Sequence, residues 1–459
     1  MTRLAQKQLQ IPISLIWFLF VYGVLVATIN TADTWNFNLQ HIGIEALGER
    51  GTWYFEGSSH PHLQPEGDIF VYKGHTYACK QPGQFVFGGV VYRLLRVFGF
   101  SYALDYILTA STITALTSAF LAALMAMFLF QIANYYLSLR RSLLVSALGV
   151  FGTTIWPYAG VTHHDLFGTF FAFFGFYLLF YAHRMQAQMG EMKKAAYIAT
   201  AGFLSFFTFF SSLLPFGCVL ATGVYLLCLR RWTGCVIFLC AGLFALAPTL
   251  LYNVFVFDDL FHFPHVIGGY DVALPRWSWS NFIEKLDFYL ISLTNSFYMF
   301  SPFLVFALLG FVHWPKEHGA ERVALLAACL LTFVHVCSMQ TIGHAQYGPR
   351  YLLPIMPFMT LGLIGLLGTQ TYTHQFLGVR RRVWTGLLLF LGGISVCVAG
   401  VGSLMGVMFK PVYLHPFPLY VGALLDGKAP QFLFAPLGLL FVLAAVFIGW
   451  RQKTWVSYD

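Results

Sequence analysis

The 459-residue sequence is 58% hydrophobic and only 10% charged, with a mean hydropathy of +0.70. A soluble chain of this length needs far more polar surface to cover its core, so the composition excludes an ordinary water-soluble enzyme and makes lipid the main solvent. The formal net charge of +8 comes with no zinc-finger spacing and no basic-aromatic groove, so it points to membrane lipids and not to nucleic acid.

Uncharged intervals predict the helices in chain order. The first runs from Ile11 to Ile29 and reads as a retained span. Further intervals are Tyr106–Leu139, Ser142–His164, Leu166–His183, Ala195–Leu229, Trp232–Phe257, Phe288–Pro315, Val323–Pro349, Tyr351–Val379, Val383–Phe409 and Ala429–Trp450. Roughly 20 residues cross the hydrocarbon core, so most intervals hold one helix. Ala195–Leu229 carries Pro215 near its middle and a basic pair at each end, which predicts two short crossings. The expectation is an all-α integral membrane protein, a single bundle over residues 1–459 of about 12 transmembrane helices with interfacial helices in its first outer loop.

Basic residues set the orientation. Arg140-Arg141, Lys193-Lys194, Arg230-Arg231 and Arg380 to Arg382 fall in short loops on one side, while most carboxylates fall in longer loops on the other. The positive-inside rule then puts the amino terminus inside and three polar segments outside, at 30–104, 257–287 and 410–433. Seven of the eight cysteines lie in apolar spans. Cys79 is alone in an outer loop, so no disulfide framework is expected.

The first outer segment is the most informative. Asp33 directly follows the first span, and Trp35, Leu39, Ile42 and Ala46 continue at helical spacing, which predicts an amphipathic helix in the membrane plane ended by Gly48 to Gly51. Ile69 to Tyr77 reads as a hairpin bent at Lys73-Gly74. A second apolar helix is predicted from Gln84 to Phe98, with Arg93 and Arg96 reaching the interface.

Four stretches carry a resemblance. They are Thr31-Ala-Asp-Thr34; Tyr72-Lys-Gly-His-Thr-Tyr-Ala-Cys-Lys-Gln-Pro-Gly83 with Tyr92-Arg-Leu-Leu-Arg-Val-Phe-Gly99; Leu251-Tyr-Asn-Val-Phe-Val-Phe-Asp-Asp259 running on to Gly268-Gly-Tyr270; and Tyr347-Gly-Pro-Arg-Tyr-Leu-Leu-Pro-Ile-Met-Pro357. In this order and at these depths the chain resembles the GT-C glycosyltransferases, in particular the branch with protein O-mannosyltransferases and the lipid A aminoarabinose transferase. The resemblance implies a donor sugar carried on a polyprenyl phosphate, inversion at the anomeric carbon, and a second acidic position at Asp165. It departs from the family pattern at Thr34, where Glu is frequent, and in the single Pro82.

The chemistry that such a transfer needs can be matched to residues. A carboxylate must take the proton of the acceptor hydroxyl, and cations must steady the departing phosphate. Asp33 is the candidate base, with a helix N-cap as the alternative reading. Asp165 is the second catalytic candidate, and it too could cap the helix that begins at Leu166. Arg350, Lys80 and Tyr351 are the candidates for donor-phosphate binding. Their alternatives are a headgroup anchor for Arg350, an interfacial snorkel for Lys80 and a belt aromatic for Tyr351, as for Tyr347. His164 is a candidate ligand for a divalent metal, the one cofactor considered, although a His163-His164-Asp165 run is expected to need a bend before its side chains converge.

The function expected is therefore transfer of a sugar from a polyprenyl-phosphate donor to a lipid or glycan acceptor, at the periplasmic face of a bacterial inner membrane. The alternatives are a transporter or flippase for lipid-linked sugars and a polymerase or ligase using a diphosphate-linked donor. Spans without internal charges, and no visible repeat, weigh against ion-coupled transport.

Overall fold

In hydrocarbon a backbone N–H or C=O finds no water, so an apolar chain has to close its hydrogen bonds within helices. The computed structural model, which describes residues 3–61, 67–261, 263–268, 276–343, 346–368, 375–376, 379–409, 414–428 and 430–451, does this almost throughout. Helices long and apolar enough to cross a bilayer are Tyr106–Tyr136, His164–Arg184, Trp232–Phe257, Lys316–Ser338, Arg350–Leu367 and Val383–Met405. Arg3–Ala27, Leu139–Phe151, Glu191–Phe207, Phe216–Cys228, Leu304–Val312 and Ala435–Arg451 fill the remaining places of a polytopic bundle. The divided interval is divided as expected: one helix ends in a tight turn at Thr208–Phe210, and Pro215 opens the next.

Lipid adds no hydrophobic drive between helices, so close backbone approach has to hold them. The first and last helices cross where Gly23 meets Gly438; a Cβ on Gly23 would stand 2.7 Å from the Gly438 carbonyl oxygen. At the short-loop end of the bundle, a polar knot that hydropathy did not reveal ties four helices. Arg184 Nη2 pairs with Glu321 Oε1 at 2.6 Å and donates to the Tyr136 hydroxyl at 2.7 Å, and the Tyr225 hydroxyl donates to the same Glu321 oxygen at 2.9 Å.

The long-loop end carries the interfacial elements. The first planar helix forms as Thr31–Asn36 and Asn38–Glu45, then widens into a looser turn over Ala46–Arg50. Its cap is Asn30, whose side chain accepts from the Ala32 N–H. Asp33 sits one turn further in, which corrects the capping alternative for it. The hairpin pairs Ile69–Tyr72 with His75–Ala78, and Tyr72 faces His75 across a two-residue turn. The second planar helix is Gly83–Arg96. Arg93 does more than reach the interface: it donates to the Gly48 and Leu47 carbonyls at 3.3 and 3.2 Å and so closes the end of the first planar helix. A short amphipathic helix that the sequence reading did not single out, Trp279–Leu286, hangs from the carbonyls of Cys337 and Met339 through Asn281 and turns Trp279 outward. Of the motif positions, Gly269 and Tyr270 lie outside the described residues, as do residues 410–413 and 429 of the third outer segment.

Between the planar helices lies a buried polar cluster. Glu45 accepts from the Ser59 N–H at 2.9 Å and from the hydroxyls of Ser58 and Ser59. His41 Nδ1 meets the Tyr102 hydroxyl at 2.9 Å. Burial pushes His41 from 6.5 down to about 3. Below pH 6.5 the unfolded chain takes up a proton that folded His41 refuses until about pH 3, so its contribution is complete above 6.5 and declines as the pH falls through that window. The loss runs at about 1.4 kcal/mol per pH unit. The melting temperature in nanodiscs should therefore fall on acidification, and His41→Gln should flatten the dependence over that range. An unchanged profile would mean that His41 is not buried neutral.

Candidate active site

The helix His164–Arg184 begins at the long-loop end, and its cap is His163, whose Nδ1 accepts from the Asp165 N–H at 3.2 Å. Asp165 is thus inside the first turn and not the cap, which again corrects the capping alternative. The break between the extended backbone of His163 and the helical turn that follows provides the bend that the His-His-Asp run requires. The two imidazoles stack with centroids 4.5 Å apart, and ligand-type atoms of His163, His164 and Asp165 all lie within 4.8 Å of one another.

All three residues are buried, and so is Arg350. Arg350 opens the tight-turned start of Arg350–Leu367, where Pro349 and Pro354 shape the entry. Its Nε faces Asp165 Oδ2 at 3.7 Å, too long for a hydrogen bond. Neither atom has a hydrogen-bond partner among the described residues. The other oxygen, Asp165 Oδ1, accepts from the Ser212 hydroxyl at 2.8 Å. The guanidinium lies 4.9 Å from the centroid of the Tyr351 ring. Tyr351 and Tyr347 are both buried, which corrects the reading of them as belt aromatics.

Burial, together with the neighbouring His164, Arg350 and Lys80, holds His163 well below the ordinary histidine range, so it is neutral at neutral pH. Because its Nδ1 accepts, its proton is on Nε2. Arg350 Nη1 stands 3.5 Å from that Nε2. Two donors therefore face one region, and neither satisfies the other. Such an arrangement suits an anion placed between them.

Lys80 pairs with Asp68 at 2.9 Å and is itself nearly buried. Its charge acts on His163, and the charge of Asp68 acts on Arg350, so Lys80 shares the electrostatic neighbourhood of the cluster.

Asp33 reaches the same neighbourhood along the first planar helix. Asp33, Phe37 and Gln40 follow at intervals of four and three, on one helical face. Phe37 packs edge-on against His163 with centroids 5.5 Å apart, and Gln40 Nε2 stands 3.5 Å from His164 Nδ1. On its other side Asp33 Oδ2 accepts from the Val407 N–H at 2.9 Å. The Val407 carbonyl accepts from the Tyr347 N–H at 2.7 Å, and the Tyr347 carbonyl from the Tyr158 hydroxyl at 3.2 Å. Tyr158 is within electrostatic reach of Arg350, Asp165 and Asp33 together.

Gly406 makes the seat of Asp33. Its φ of +103° is one that side chains rarely adopt, and a Cβ there would stand 2.6 Å from Asp33 Oδ1. Gly406→Ala should therefore displace the carboxylate without removing it, at an added strain of about 1–2 kcal/mol. If Asp33 acts in the reaction, Gly406→Ala should lower kcat much more than the melting temperature. Equal losses would make the glycine merely structural.

These three side chains by themselves do not complete a tetrahedral metal site. His163 Nδ1 is already used by its own helix, and Asp165 is flanked by a guanidinium that a dication would have to displace. His164 alone, with an Asp165 oxygen that holds Ser212, falls short of a tetrahedral set. Of the two loop acids, Asp258 pairs with Lys73 in the open, and Asp259 Oδ1 accepts from the Phe261 N–H at 2.8 Å.

Residue typing missed several contributors to this neighbourhood. Tyr158, Asp68, Ser212 and Gln40 join it through tertiary contacts. Gln81 and Gln84, either side of Pro82-Gly83, did carry a signal, since two amides entering an otherwise apolar helix at the membrane boundary need partners.

No protein-family model matches this sequence, and no curated protein does. Among solved structures the chain is similar to the crystal structure of ArnT from Cupriavidus metallidurans bound to undecaprenyl phosphate, with a TM-score of 0.44 and 13% identity over 97% of this chain and 76% of that one.

Proposed function

We propose that this chain is an inverting glycosyltransferase that moves a sugar from a polyprenyl-phosphate donor to a lipid or glycan acceptor at the outer face of a membrane. The observation that carries the reading is the buried Arg350–Asp165 pair, whose facing atoms keep unused hydrogen-bonding capacity beside the Nε2–H of His163. A buried ion pair held so loosely is poor stabilisation, and it is well suited to receive an anion.

In the proposed reaction the phosphate of the donor lies against Arg350, His163 Nε2–H and Lys80. Asp33 takes the proton of the acceptor hydroxyl as its oxygen bonds to the anomeric carbon. The bond from that carbon to the phosphate oxygen breaks, and its electron pair stays on the phosphate. The products are a glycoside of inverted configuration and free polyprenyl phosphate. A phosphate leaves readily as an anion once cations offset its charge, so no general acid is required. Asp165 acts as a positioning residue, holding Arg350 and the histidine pair.

The test uses the full chain in liposomes with a labelled polyprenyl-phosphate sugar and an acceptor glycolipid. Acceptor-dependent release of polyprenyl phosphate is expected. Label crossing the bilayer with its bond intact would make the protein a flippase, and turnover only of a diphosphate-linked donor would make it a polymerase or ligase.

A further inference from the structure

The helix Trp279–Leu286 presents three faces, each marked by a pair of residues four apart. Asn281 and Lys285 face the protein: the Asn281 amide donates to the Cys337 and Met339 carbonyls at 3.3 and 2.7 Å, and Lys285 is buried. Ser280 and Glu284 are exposed on the second face. Trp279 and Ile283 form the third, 70% and 57% exposed, and Trp277 continues it at 54%. Trp277, Trp279 and Phe282 pack on one another, with ring centroids 5.2 to 6.1 Å apart. Large apolar side chains turned outward together form a surface that needs a cover.

The place of this face in the fold is defined. The helix hangs at the long-loop end of Lys316–Ser338, which is long and apolar enough to cross a bilayer and whose Val323 and Leu330 are themselves exposed. The Arg276 N–H adds a bond to the Ser338 carbonyl at 2.8 Å, so the element is fixed to the end of that span at both Arg276 and Asn281. Just beyond it, the Tyr289 hydroxyl donates to the Ile342 carbonyl at 3.4 Å. The next residue, Gly343, lies against the Tyr351 ring, which a Cβ there would meet at 2.8 Å. The helix is thus tied to the segment that backs Tyr351, the neighbour of Arg350.

We infer that Trp277, Trp279 and Ile283 are immersed in the lipid leaflet at the long-loop end, so that Trp279–Leu286 lies in the membrane interface and anchors residues 337–343 to it. Place, composition and facing select lipid as the occupant. The end of a spanning helix puts the face at the bilayer boundary, in line with lipid-exposed side chains of the same span. Tryptophan suits that boundary, since its ring is apolar and its N–H polar. The exposed carboxylate of Glu284 stands about 100° round the helix from Ile283, on the side a flat-lying helix turns to water. The apolar face of such a helix sinks about 5–10 Å below the headgroups. This inference holds whether or not the chain transfers a sugar.

The experiment places a photoreactive benzoylphenylalanine in turn at Trp279, Ile283 and Glu284 of the full chain, in nanodiscs of phosphatidylethanolamine and phosphatidylglycerol. Adducts are identified by mass spectrometry after illumination. Lipid adducts are expected at Trp279 and Ile283, and only background at Glu284. A second readout keeps to natural side chains. Phospholipids brominated on the upper acyl carbons should quench a share of the tryptophan fluorescence that disappears in Trp277→Phe combined with Trp279→Phe, and aqueous acrylamide should quench that share less. Cross-links from Trp279 or Ile283 to a second copy of the chain would make the face a dimer contact and overturn the proposal. Lipid adducts equal at all three positions, or that share quenched more by acrylamide than by brominated lipid, would overturn it as well.

Discussion

Arg350→Ala is expected to abolish sugar transfer and to cost about 3–5 kcal/mol of stability. The size follows from burial. Asp165 is 1% exposed, and its Oδ2 has the guanidinium of Arg350 as the nearby ion-pair cation. Removing that cation leaves an uncompensated carboxylate in a medium of low dielectric constant. The stability loss does not by itself test the binding role, since an anchor would also be missed. Arg350→Met combined with Asp165→Asn removes both charges and should recover most of the melting temperature, because a buried pair contributes little net stability once both members are gone. Transfer should stay absent in that double variant, and binding of bare polyprenyl phosphate should stay weak. Arg350→Lys should restore charge without the planar fork and give only partial binding. A stable double variant that still transfers sugar would show that Arg350 is structural.

Asp33→Asn should have the second large effect, and of the opposite kind. Its Oδ2 accepts the Val407 N–H at 2.9 Å, a role the Asn carbonyl oxygen can keep, so folding and melting should stay near wild type. What Asn cannot do is take a proton. Loss of a general base typically costs about 10²–10⁴ in rate, and that loss should appear in kcat with little change in KM for the donor. Product analysis by turnover of a labelled donor gives the answer directly. If activity survives, the base lies elsewhere, and Asp165 becomes the carboxylate to replace.

Several features of the site were legible before any coordinates. The isolation of Arg350 in a long uncharged stretch, the position of Asp33 after the first span and the His163-His164-Asp165 run at a span boundary each stood out by type and place. Their partners did not. Nothing in the spacing of Arg350 and Asp165 tells that a turn after Pro349 and a helix start after His163 meet. Nor does the sequence reveal that Val407, far along the chain, holds Asp33. The capping alternatives were misplaced for a local reason: Asn30 and His163 stand before the two acids, and the cap goes to the side chain whose backbone is still extended. The reading of Tyr347 and Tyr351 as belt residues failed because aromatic composition does not separate a headgroup layer from a buried wall.

Hydropathy acts over stretches of about 20 residues, so the sequence by itself determined the membrane class, the helical bundle, the order of its spans and the segments with polar chemistry. Each of those depends on local composition against a solvent of fixed thickness. Which polar groups share a neighbourhood was decided only by tertiary structure, because side-chain contacts in a bundle depend on helix rotation and on close approaches such as Gly83 to Ser211 and Gly23 to Gly438. Those depend on packing between segments remote in sequence, and no window along the chain contains them.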